Sequence, residues 1–296
     1  MSGVSNAYVR NATADDIEGI CSLLHTKMNP RIPLERWRNL MTYEWLEEKP
    51  DFGRVVEADG QVLGFCGMVY SDRLLGSVQA GLRSERMVSM SSWYLDRSLR
   101  GMGLGREMLA SSIADPMMTY ATLTNSPKPL AIQDGVGMRV LEDHRYVWRK
   151  TSGGGRPLEI VADPAIIRSR LARHEQVLLD DMASQPLMPY LLVAGGKETL
   201  LFFSIKRKAE HVTWYDLMYA GDLMHFSIHA PRLADTLLPD GIPSVLAADG
   251  RFVLELNGDA VREELPVPRL YSSQRVEPYE VDHLYSELQL LDQKLD

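Results

Sequence analysis

The sequence predicts a mixed α/β protein: a mainly antiparallel sheet flanked by helices over the first half, then a second α/β module. Three observations carry this reading. Asp59-Gly60 is a hairpin turn signal between two arms rich in Val, Leu and Phe. The glycine-rich turn Arg100-Gly101-Met102-Gly103-Leu104-Gly105 joins a strand candidate to an amphipathic stretch. After Pro157 the order of hairpin, strand, helix and strand partly recurs.

In chain order, Tyr8 to Arg10 reads as a short strand, and Thr13-Ala14-Asp15-Asp16 supplies the N-cap and early acidic residues of a helix to about His25. Pro33 opens a second helix to Leu46, with Leu34, Trp37, Leu40, Met41 and Trp45 at helical spacing. The hairpin arms are Gly53 to Ala58 and Gln61 to Tyr70, followed by a strand over Arg86 to Leu95. Beyond the glycine turn come a helix over Leu104 to Ala114, a strand over Met118 to Leu123, a helix over Pro129 to Val136 and a strand over Arg139 to Trp148.

The run Thr151-Ser152-Gly153-Gly154-Gly155-Arg156-Pro157 marks a boundary, giving expected domains of residues 7–150 and 157–296. The later part reads as a helix over Pro164 to Asp181 and strands at Tyr190 to Ala194, Thr199 to Ile205 and Val212 to Tyr219. A helical stretch to Leu238 and a strand over Ser244 to Ala247 follow. An extended segment over Pro266 to Pro278 then precedes a terminal helix, Tyr279 to Lys294, which can close the core or serve a homodimer contact.

With 45% hydrophobic and 24% charged residues, the chain has the composition of a globular protein. No window is apolar enough to span a membrane and the first residues lack a signal-peptide pattern, so a cytoplasmic location is expected. A net charge of -8 argues against a nucleic-acid partner, and Lys206, Arg207 and Lys208 read as a solvated strand end. Cys21 and Cys66 are expected to be structural thiols.

The glycine-rich turn is the candidate for chemistry. A glycine-rich segment between strand end and helix start lets backbone N–H groups converge on a pyrophosphate, aided by the helix dipole. It is not a Rossmann fingerprint, since its strand is the fourth candidate and follows a hairpin, and no Gly-Lys-Ser/Thr of a Walker loop follows.

Those residues resemble the GNAT (GCN5-related N-acetyltransferase) superfamily, whose Arg/Gln-x-x-Gly-x-Gly/Ala signature follows the fourth strand. Arg100 to Gly105 fits each required position, and Trp93-Tyr94-Leu95 resembles the family's strand end. The resemblance covers residues 7 to 150. It implies that the thioester arm of acetyl-CoA or another acyl-CoA inserts between the splayed fourth and fifth strands, beside Trp93, Tyr94 and Leu95. Its pyrophosphate would lie at Arg100, Gly101, Met102, Gly103, Leu104 and Gly105, with Arg106 adding charge and Asn125 contacting CoA or the acceptor. No metal is implied.

The implied reaction is attack of an amine on the thioester, which needs a deprotonated nucleophile, a polarised carbonyl and a protonated leaving thiolate. The tyrosine that family members use as thiolate proton donor is replaced by Gln133, and Ser89 stands at the family's carboxylate position. Candidates that remain are Glu85 as base, acting through a water, then Tyr94, Tyr120, a water or no dedicated acid for the thiolate, and Asn125 as an orienting group; His25 is a further approach from the first helices. The expected acceptor is a small-molecule amine, against two alternatives: a CoA-binding regulatory module without turnover, or a protein lysine acetyltransferase. The second module, lacking the glycine triplet, is expected to be a degenerate copy without CoA, against the alternative of an unrelated α+β domain. His225 and His229, spaced i, i+4, have metal-ligand spacing without a third ligand in the sequence pattern.

Overall fold

The computed structural model describes residues 6–77, 81–127, 130–151, 157–208 and 211–295. The chain forms two compact units, one of residues 1–141, 269–281 and 285–293, the other of residues 142–268, 282–284 and 294–296.

In the first unit, β1 (Tyr8–Asn11) leads through a 3-10 turn into α1 (Ile17–Leu23) and a π turn, Leu24–Met28, then α2 (Leu34–Thr42). The entry is fixed by Asp16, whose carboxylate accepts from the Thr13 N–H at 2.8 Å and from the Arg10 guanidinium at 2.7 Å. Hydrogen bonding to Arg10 brings the Asp16 carboxyl down to about 2. Next come β2 (Gly53–Ala58), β3 (Gln61–Ser77), β4 (Gly81–Leu95), α3 (Leu104–Ser112), β5 (Thr119–Thr122) and α4 (Leu130–Asp134).

The ladder runs antiparallel from β1 to β4, then parallel from β4 to β5. Side-chain alternation along β3 divides the core. Phe65 and Val69 pack with Trp37 and Leu40 on one face, while Cys66, Met68 and Tyr70 pack with Val88 and Met108 on the other.

The second unit takes most of β6 (Arg139–Trp148), then β7 (Glu159–Val161), α5 (Pro164–Arg170), α6 (Arg173–Asp181), β8 (Met188–Ala194), β9 (Lys197–Arg207), β10 (Thr213–Ala220), α7 (Leu223–Leu237) and β11 (Ser244–Asp249). Here β8, β9 and β10 are antiparallel, β10 and β11 parallel, and β11 and β6 antiparallel. Topologically this repeats the first unit: an antiparallel hairpin, a third strand, a helix and a parallel return. β12 (Val261–Ser272) has its unit border at Pro268, and α8 (Glu287–Leu290) lies in the first unit.

Two sequence expectations change, both of them helices. Residues 152–156, within the expected boundary, lie outside the described residues, and the compact units meet along the chain at Leu141 and Glu142. Only Arg139–Leu141 of β6 fall in the first unit, where Leu270–Ser272 of β12 pair with β5. Pairing between distant segments decides this, and local sequence carries no record of it. The helix expected over Pro164 to Asp181 breaks at Leu171-Ala172, both extended. The helix expected over Tyr279 to Lys294 is reduced to a 3-10 turn, Pro278–Glu280, and α8. Ser286, Glu287 and Gln289 are buried along with Leu284 and Leu288, so this segment is enclosed by tertiary contacts that override its helical periodicity.

Both cysteines are free and buried. Among the described residues no helix is long and apolar enough to cross a membrane.

Candidate active site

The pairing of β4 with β5 extends only from Met87↔Thr119 to Ser89↔Ala121, although β4 continues to Leu95. β4 also slips its register against β3 between Phe65 and Gly67, and Ser92 opposite that slip is left-handed, with φ 55°. An L-residue there costs about 1–2 kcal/mol, and the bulge bends the strand. Where the strands diverge lies a cavity of about 250 Å³ lined by Met90, Ser91, Ser92 and Trp93 of β4, by Thr122, Thr124 and Asn125 at the end of β5, and by Gln133 and Gln293.

The glycine turn follows directly. Asp96 accepts from the Ser98 N–H at 2.9 Å, and Arg100 Nε donates back to the Leu95 carbonyl at 3.0 Å, folding the chain over the strand end. Gly101 and Gly103 both have φ 86°, a conformation that side chains resist; no atom would touch a Cβ at either, so the requirement is conformational. Gly103 is the N-cap of α3, whose first N–H groups lack intrahelical acceptors. A Cβ on Gly105 would lie 3.7 Å from the Trp93 ring, so the start of α3 packs on a residue of the cavity wall. Arg106 is turned elsewhere, donating to the Gly135 carbonyl at 3.0 Å.

Among the described residues the cavity wall mixes apolar side chains with polar ones and carries no charged one. Asn125 Nδ2 donates to Thr122 Oγ1 at 2.9 Å, and Gln133 Nε2 donates to Asn125 Oδ1 at 3.1 Å. Gln133 is 3% exposed, and its Oε1 has no partner among the described residues, which leaves a desolvated acceptor at the wall. Cys66 also lines the cavity, but burial pushes its thiol up to about 11, so it stays protonated at neutral pH.

One carboxyl group stands behind this wall. Glu287, 1% exposed, accepts from Ser89 Oγ at 2.6 Å and from Thr124 Oγ1 at 2.8 Å. Burial raises its pKa, opposed by the two hydroxyls and by the N–H groups of Glu287 and Thr124. Sequence reasoning passed over it. The available signal was a glutamate three residues after Leu284, flanking the apolar stripe of the expected terminal helix.

Among the expected site residues, Trp93 and Asn125 line the cavity and lie together with the strand divergence. Glu85 is buried on β4 and is not among the cavity-lining residues; its carboxylate accepts from Arg275 at 2.9–3.2 Å, with Arg83 at 3.4 Å. Tyr94 packs against the α1–α2 core rather than the cavity, with the Arg100 guanidinium 5.8 Å from its ring centre. Tyr120 is buried in the opposite core. His25 Nδ1 meets the Ile32 carbonyl at 2.9 Å, a loop tie. His225 engages both ring nitrogens, with Thr199 Oγ1 at 2.7 Å and the Ala194 carbonyl at 3.1 Å, which leaves no atom for the metal geometry its spacing with His229 suggested.

Residues 17–115 match the family model described as the acetyltransferase (GNAT) family. The chain thus carries a domain of that family, an N-acetyltransferase class of enzyme. The fold is similar to that of a GCN5-related N-acetyltransferase from Anabaena variabilis (10% identity, TM-score 0.53, covering 90% of this chain and 72% of that one). It is also similar to a GCN5-related N-acetyltransferase from Kribbella flavida (12%, TM-score 0.54, 90% and 70%) and a probable N-acyltransferase from Enterococcus faecalis (12%, TM-score 0.54, 93% and 74%). No curated protein matches the sequence.

Proposed function

We propose that the first unit transfers an acyl group, acetyl in the simplest case, from CoA to the amine of a small molecule. The observation that carries this is the parting of β4 from β5 immediately before the glycine turn. Among the described residues the edge of β4 that faced β5 has no ladder partner beyond Ser89, and the amide groups of a pantetheine arm match such an edge as an added strand would. The pyrophosphate then meets the N–H groups from Gly101 to Gly105, with Arg100 beside it. Trp93 walls the thioester end. A neutral, partly apolar cavity of about 250 Å³ suits a compact acceptor better than a peptide chain.

Within this reading the amine nitrogen attacks the thioester carbonyl and CoA leaves as thiolate. Gln133 carries no acidic proton and Tyr94 faces the other core, so the thiolate takes its proton from the attacking nitrogen. Asn125, held between Thr122 and Gln133, orients the acceptor.

The test is thermal unfolding with acetyl-CoA, followed by CoA release across a panel of small amines. Ligand at 100 times its Kd stabilises by about 2.7 kcal/mol, a readily measured shift. Absence of any shift with acetyl-CoA or longer acyl-CoAs would sink the proposal. Stabilisation without CoA release from any amine would favour the non-catalytic CoA-binding alternative, to which the glutamine at position 133 lends weight.

A further inference from the structure

Glu287 is an expensive feature that the fold alone does not require. A carboxyl group removed from water is normally matched with a cation, because its charge is otherwise uncompensated. Among the described residues no Lys, Arg or His pairs with Glu287; its side-chain partners are the hydroxyls of Ser89 and Thr124. Thr124 also lines the cavity, so one hydroxyl connects the buried carboxyl to the space where an acceptor would sit. Among the described residues that line the cavity, none is charged.

We propose that Glu287 is a positioning residue that acts through Thr124, drawing the ammonium of a primary-amine acceptor to the cavity wall and taking one of its protons during acyl transfer. This rests on the reading of the cavity given under Proposed function. In the proton transfer, the Thr124 hydroxyl passes its hydrogen to Glu287 Oε1 as it takes one from the ammonium. The neutral nitrogen then forms the C–N bond, the C–S bond breaks, and the nitrogen's second surplus proton goes to the departing thiolate. An ammonium, a thioester and a carboxylate become an amide, a thiol and a carboxylic acid, and the acid returns its proton to water after product leaves. Ser89 holds the other carboxylate oxygen, fixing the direction of Oε1 toward Thr124.

On the neighbouring elements, Glu85 of β4 is paired with Arg275, Arg83 with Glu280 and Arg86 with Asp72. Arg36 and Arg38 of α2 pair with Asp292 and Glu18, Glu35 of α2 is exposed, and Arg73 of β3 lies over the ring of Tyr285, 4.9 Å from its centre. The pH response of the site is therefore assigned to Glu287 and the acceptor amine.

The experiment uses the full chain, with acetyl-CoA as donor and a panel of primary amines, following rate from about pH 6 to 9. Glu287→Gln is expected to keep stabilisation by acetyl-CoA and lose about 100-fold in kcat, and the rise of rate with pH should move to the pKa of the free amine. Thr124→Val should reproduce the loss and Thr124→Ser should not, which covers the case in which Glu287→Gln fails to fold. Rates within threefold of wild type, with an unchanged pH profile in Glu287→Gln or in Thr124→Val, would overturn the inference. So would wild type that binds acetyl-CoA but acetylates no primary amine. Failure of wild type to bind acetyl-CoA would instead overturn the proposed function itself.

Discussion

Both units contain a bulged strand that pairs in parallel with the strand after the next helix, and in both the pairing stops early. It ends at Ser89↔Ala121 in the first and at Asp216↔Ala247 in the second, although β4 and β10 each continue. The bulges correspond: Ser92 interrupts the register in one and Met218 in the other. What fills the divergence differs. In the second unit the His283 N–H donates to the Met218 carbonyl at 3.0 Å, and the His283 ring lies 2.9 Å from Asp249, which also pairs with Arg251. The space left beside Leu217 and Ala248 is too small for a water molecule.

The helix termini differ in the same sense. α3 begins at a left-handed glycine with no side chain to cap it, whereas Asp222 caps α7, accepting from the His225 N–H at 2.8 Å and pairing with Lys197. One scaffold thus yields two outcomes. The second unit fills its divergence with its own chain, His283 meeting the Met218 carbonyl, whereas the first holds a cavity of about 250 Å³.

The largest test of this contrast is to give α3 the cap of α7. Gly103→Asp places a carboxylate at the proposed phosphate position and an L-residue at φ 86°, and acetyl-CoA affinity should fall at least about 100-fold, roughly 3 kcal/mol by calorimetric titration. Affinity retained within threefold would show that the turn is not where the anion binds. Removing the cap from the second unit with Asp222→Gly should create no second site, so the stoichiometry of acetyl-CoA should remain one per chain.

A smaller effect is expected at the polar wall. Asn125→Ala removes the partner of both Gln133 and Thr122, leaving buried polar atoms without hydrogen bonds, and kcat/KM for the amine should fall about 10-fold while acetyl-CoA affinity changes little. An unchanged kcat/KM would take Asn125 out of the acceptor site.

The first unit was legible because its decisive features are local. Asp59-Gly60 marks the β2–β3 turn, and two left-handed glycines mark the entry to α3; each expresses backbone geometry that only certain residues accept. The pairing of β5 with Leu270–Ser272 and the delivery of Glu287 to Ser89 span well over a hundred residues, and no periodicity records them. Glu85 shows how a distant partner escapes local reading. It has the right residue type on the right strand, but Arg275, 190 residues later, claims its carboxylate.

The cap in the second unit is itself a stability element. Asp222→Ala should cost about 1 kcal/mol, lowering the midpoint of thermal unfolding by roughly 2–4 °C, with acetyl-CoA affinity unchanged. A change in affinity would mean that this helix terminus contributes to ligand binding after all.

The smallest expected effect separates the two buried carboxyls. Burial raises the pKa of both Asp216 and Glu287, but Asp216 has the Lys208 ammonium at 2.8 Å, whereas the donors to Glu287 among the described residues are neutral. A carboxyl whose pKa is higher in the folded than in the unfolded state binds its proton more tightly when folded. Its contribution is fully present below the unfolded value, about 4.3 for glutamate, and declines as pH rises toward the folded value. Glutamine cannot ionise, so Glu287→Gln should match wild type at the acidic end and become relatively more stable as pH rises, giving a shallower decline by urea denaturation. Parallel stability curves for wild type and variant across this range would mean that the Glu287 carboxyl ionises alike in both states, and that its hydroxyl and N–H donors fully offset its burial.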